Sequence, residues 1–63
     1  MNALSPRQRQ IMELVATGLT NRDIAAQFGL QADTVRLQRR EALRRLGAKT
    51  SPHAVAIMLG RAA

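Results

Sequence analysis

The sequence predicts an all-α domain of four short helices, and three observations carry that prediction. Apolar residues recur at the three-and-four spacing of a helical face in four separate stretches. Punctuation residues bracket those stretches: Ser5-Pro6, Thr20 and Thr50-Ser51-Pro52 stand ahead of a run, and Gly18, Gly29 and Gly47 stand behind one. No segment alternates with period two, and β-branched residues are sparse. With 63 residues the chain makes one small domain. A chain of that size buries only about 60% of the surface its unfolded form exposes.

The first helix starts with the strongest signals. Ser5 is its N-cap, Pro6 occupies the first helical position, and Gln8 completes a capping box. Leu4 stands where a staple residue would. Ile11, Met12, Leu14 and Val15 make the apolar face, and Gly18 ends the run. The second helix opens on Thr20, with Asp23 placed to meet free amides and the helix dipole. Ile24, Ala25 and Phe28 face inward and Gly29 stops the helix after about two turns, so packing rather than propensity must hold it.

The third helix is the longest, at 33–46. At about 100° per residue, Ala42 and Leu46 return near the direction of Val35, and Arg39 lies towards the same side. Leu37, Arg40 and Arg44 point the opposite way. Its cap is ambiguous, because Gln31 caps poorly and Asp33 caps well but comes late. The fourth helix begins at Thr50 or Ser51, and Val55, Met58, Leu59 and Ala62 form its predicted buried face.

Composition excludes several functions. The chain has no cysteine, hence no disulfide, thiolate metal site or cysteine nucleophile, and its one histidine, His53, cannot build a histidine metal cluster. The longest apolar run, 54–59, is far short of the roughly 20 residues that span a bilayer. Polar residues at 5–10 stand where a signal peptide would be apolar. No nucleophile, base and orienting group fall into a catalytic pattern, so an enzyme is not expected. Neither metal nor cofactor is expected.

Charge is more informative. The formal net charge is +6. Six of the basic residues (Arg36, Arg39, Arg40, Arg44, Arg45, Lys49) fall between positions 36 and 49 beside one acid, Glu41. That concentration on one element suits a polyanion. The short second helix, the turn Phe28-Gly29-Leu30 and the longer basic helix form a helix-turn-helix pattern, whose second helix enters the DNA major groove. Arginine forks match guanine edges or phosphates, and the outward Leu37 suits a thymine methyl.

The chain resembles the LuxR/GerE-type (FixJ/NarL-type) DNA-binding domain of bacterial regulators. The residues that carry the resemblance run from Leu4 to Met12, from Gly18 to Ala25, and through Leu30, Thr34-Val35-Arg36, Leu43 to Gly47 and Ala54-Val55. The resemblance implies a transcriptional regulator that reads double-stranded DNA, with base contacts from Arg36, Leu37 and Arg40. It implies phosphate-backbone contacts from Thr20, Asn21, Thr34 and Lys49, which Arg39 and Arg44 join. It further implies a weak homodimer through the fourth helix, by Ala54, Ile57, Met58 and Arg61. RNA polymerase is a further partner it admits, and the expected location is the bacterial cytoplasm, on the nucleoid when bound.

The chain departs from the family pattern at a few places. Gln8 replaces a usual acid, Gln38 a frequent histidine, and Gln31 the usual Ser/Thr cap. Asp33 lies near where phosphate would sit, placed to read a cytosine amine or to reject wrong sites. Two other readings stay open from sequence: a sigma-factor region-four-like DNA-binding module, and a protein-interaction or anti-activator module that works through the fourth helix. The chain is either a stand-alone regulator or the C-terminal domain of a longer one.

Overall fold

The computed structural model describes residues 4–60 and contains four α-helices and no strand among them: α1 (Pro6–Ala16), α2 (Asn21–Phe28), α3 (Ala32–Leu46) and α4 (Ser51–Met58). Their starts follow the local chemistry. Ser5 Oγ accepts from the Gln8 amide while Gln8 Oε1 accepts from the Ser5 amide, and Thr20 and Asp23 make the same reciprocal pair at α2. Thr50, not Ser51, caps α4, its Oγ1 accepting from the His53 amide at 3.2 Å. At α3 the cap is Gln31, and no side chain bonds the free amides there.

At two of the helix ends the C-cap residue itself takes positive φ. Gly29 (φ +66°) and Gly47 (φ +68°) close α2 and α3 in the left-handed region, which a Cβ disfavours. Beyond each glycine the next amide folds back on the helix: Leu30 N–H donates to Ala25 O and Ala48 N–H to Leu43 O, both at 2.9 Å.

The core is two clusters joined by α1. Ile11, Ile24, Ala25 and Val35 form one, with Phe28 and Leu30 packed against it. Met12, Ala42 and Ala54 form the other, with Leu4, Leu46, Val55 and Met58 around it. Adjacent residues Ile11 and Met12 thus serve different clusters, one between α1, α2 and the start of α3, the other between α1, mid-α3 and α4. Gln8 is also buried, and besides the capping box its Nε2 donates to Gln38 Oε1 at 3.1 Å, tying the start of α1 to the middle of α3. Two of the three glutamines singled out in the sequence, Gln8 and Gln38, are therefore partners of each other. Arg7 stacks over the Phe28 ring, 4.3 Å from its centroid, and closes the outer edge of α1 against α2.

The fourth helix corrects two expectations. It ends at Met58, and Leu59, predicted as buried, is 60% exposed beyond the last turn. Ala54, predicted as a dimer contact, is fully buried between Met12 and Ala42, because the apolar stripe of this small-residue helix is turned one step towards the core. The expectations for Arg61 and Ala62 lie outside the described residues.

Candidate nucleic-acid interface

The sequence places α3 across the domain with one side in both clusters and the other in solvent. Val35 and Ala42 are buried, while Thr34, Arg36, Leu37, Arg40 and Arg44 are exposed. Leu37 is 61% exposed, between Arg36 and Arg40 on the outer side. A large apolar side chain there cannot be part of the core.

The arginines differ in what they touch. Arg36 bonds the Asp33 carboxylate one turn earlier at 3.0 Å. Both side chains are mostly exposed, so the pair is weak and can open to a ligand. Arg44 and Arg45 share the Glu41 carboxylate. Hydrogen bonding from Arg44 holds the Glu41 carboxyl below its usual range, slight desolvation opposes this, and Arg45 adds to the lowering; the Arg44 guanidinium is pushed up in return. Arg40 makes no hydrogen bond or ion pair among the described residues.

Arg39 turns inward. Its guanidinium donates through Nη1 to Asn21 Oδ1 at the start of α2 and through Nη2 to Ser51 Oγ at the start of α4, the latter at 2.7 Å. Expected as a backbone contact, it is a strut between three helices, because its place near the Val35 side aims it at the seam they share. From sequence Ser51 was a candidate start of the fourth helix only, with no expected part in the site. The only available signal was the position of Arg39 on the wheel, which gave its direction but not its partners.

Thr20 is exposed as the α2 cap and Asn21 is half-buried beside it. Lys49 is exposed in the α3–α4 connection, with its amide 3.5 Å from His53 Nδ1. Asn21, Arg36, Arg39, Arg40, Arg44 and Ser51 line one cavity of about 590 Å³ on the flank of α3. On α4, Ile57 and Met58 are half-buried, and Met58 packs on the second cluster. No group of three or more His, Cys, Asp or Glu side chains among the described residues could hold a metal ion, and no described helix is long and apolar enough to cross a membrane.

A short braced helix, a glycine turn and an exposed basic helix define a helix-turn-helix domain of the DNA-binding kind. Residues 2–58 match the GerE domain of the bacterial regulatory proteins, luxR family, and the chain belongs to that family. That is a family of DNA-binding transcription regulators rather than of enzymes. Over 47 residues, 75% of this chain and 21% of the relative, it is 43% identical to nodulation protein W of Bradyrhizobium diazoefficiens. Over 59 residues, 94% of this chain and 29% of the relative, it is 34% identical to transcriptional regulatory protein FixJ of Rhizobium meliloti. The chain thus spans less than a third of the length of these curated relatives. No solved structure matches it.

Proposed function

We propose that this domain binds double-stranded DNA sequence-specifically in the bacterial cytoplasm, with α3 as the recognition helix in the major groove. The observation that carries the reading is the outer face of α3, where Leu37 stands exposed beside Arg36 and the unpartnered Arg40. Such a face offers two guanidinium forks for guanine O6/N7 and an apolar surface for a thymine methyl. Thr20, Asn21, Thr34, Arg44 and Lys49 would flank it with backbone contacts that fix register. Affinity should fall steeply with salt, each neutralised phosphate adding a log–log slope of about −0.9.

Arg40→Ala is the direct test. Measured on a selected operator and on random duplex, it should weaken specific binding by about 1–3 kcal/mol and relax preference at one base position. Equal losses on both DNAs would make Arg40 a phosphate contact. A second copy joins through α4 in this reading. Half-buried Ile57 and exposed Leu59 leave apolar surface there, while Ala54 is withdrawn from it. Ile57→Glu should keep helicity and weaken binding to a two-half-site operator; undiminished binding would remove the dimer. A contact with RNA polymerase belongs to the same proposal, as the step from binding to regulation.

A further inference from the structure

The cavity on the flank of α3 has an unusual chemical bias. Its polar lining consists of Asn21, Ser51 and four arginines, Arg36, Arg39, Arg40 and Arg44. Arg39 reaches both neutral polar groups at once, donating to Asn21 Oδ1 and to Ser51 Oγ. A guanidinium has donors and no acceptor. The Asn21 atom that faces it must therefore be the carbonyl oxygen, which turns the amide NH₂ away from Arg39. Ser51 likewise accepts, so its own hydrogen stays available. Neither side chain has another partner among the described residues. Arg39 bonds the oxygen of each side chain, so the groups of Asn21 and Ser51 left without a protein partner are donors, an amide NH₂ and a hydroxyl hydrogen, beside the guanidinia of Arg36, Arg40 and Arg44.

We propose that this cavity is a phosphate site for the DNA backbone, in which Asn21 Nδ2 and Ser51 Oγ donate to one phosphate and Arg39 is a positioning residue. The proposal rests on the DNA-binding reading and adds to it a contact, Ser51, and a reassigned role for Arg39. Both arms of the Arg39 fork are engaged within the protein. Its contribution is to present two donors at a fixed separation, which a planar fork does and the single ammonium of a lysine does not. The phosphate charge is met by the neighbouring guanidinia, and charge-assisted bonds to phosphate are the strong kind.

Fluorescence anisotropy of the whole chain with a generic duplex at low salt tests this, because phosphate contacts are sequence-independent. Asn21→Asp keeps an acceptor towards Arg39 but replaces the outward NH₂ with oxygen. Affinity should fall at least about tenfold, the size of one lost bond to a charged group, while Tm holds or rises. Ser51→Ala should lower affinity by roughly three- to tenfold, and Ser51→Thr should restore it. Arg39→Lys should weaken binding by the wild-type chain yet add nothing in the Asn21→Asp/Ser51→Ala background, a coupling that a purely structural strut would not produce. If Asn21→Asp and Ser51→Ala bind the generic duplex as tightly as wild type while wild-type binding still falls with salt, the cavity proposal fails and the DNA reading stands. If wild type leaves the duplex unbound at low salt, both fail. Side-chain ¹⁵N resonances of Asn21 separate the sources of phosphate. Displacement by duplex alone supports a backbone site, and displacement by inorganic phosphate as well supports a site that also takes the free anion. No displacement by either overturns the proposal.

Discussion

Arg39 and Arg40 are neighbours in sequence and opposites in structure. The outer face of α3, with Arg36, Leu37 and Arg40, is open to solvent, whereas the flank one step round the helix is a seam where Arg39 ties α2 and α4 together. The same side chain serves as a free donor in one region and as a bonded strut in the other. The basic charge of α3 is therefore unevenly available. Arg44 and Arg45 share Glu41, Arg36 bonds Asp33, and among the described residues only the Arg40 and Lys49 side chains of the 36–49 cluster lack a protein partner. A net charge gives the sign of a partner, while bonding within the protein decides which groups meet it.

The contrast breaks most visibly on the helix's two poles. Val35→Ala removes fully buried methyl groups from the first cluster and should cost about 2 kcal/mol in urea denaturation, whereas Leu37→Ala should leave stability within about 0.5 kcal/mol and weaken operator binding. Equal destabilisation by the two would mean that Leu37 is packed. The paired arginines give the next largest difference. Arg39→Met removes two charge-assisted bonds at a half-buried seam and should destabilise by about 1–2 kcal/mol, while Arg40→Met should be close to neutral in the same melt.

Glu41 gives the smallest effect and sharpens the charge argument. Its carboxyl is held low in the folded chain, chiefly by the Arg44 hydrogen bond. Its small stabilisation is therefore present above the ordinary glutamate range and fades as pH falls through the depressed folded value. A ¹³C carboxyl titration should place its midpoint below the usual glutamate value. Glu41→Gln should abolish that step, release Arg44 and Arg45, and raise affinity for generic duplex DNA. Unchanged affinity would show that neither arginine reaches a phosphate.

Much of this domain was legible in its residues. Ser5-Pro6 with Gln8, Thr20 with Asp23, and Gly29 and Gly47 mark helix ends because capping chemistry is satisfied within a few residues of chain. The inward set Ile11, Met12, Ile24, Val35 and Ala42 follows from helical periodicity. The direction of Leu37 and Arg40 was equally readable, since only the opposite pole of α3 is needed for the core. The fourth helix is less legible. Its stretch from Ala54 to Leu59 is apolar on every side, so periodicity could not tell the buried Ala54 from the exposed Leu59.

The sequence by itself determined four helices, their caps, the glycine turn and the concentration of positive charge on one of them, because each depends on neighbours within one or two turns. Only the tertiary structure decided that Gln8 meets Gln38 and that Arg39 meets Asn21 and Ser51. Those partners are separated by 30, 18 and 12 positions in the chain. Helical spacing gives a side chain its direction from the axis, but which atom waits there depends on how the helices cross.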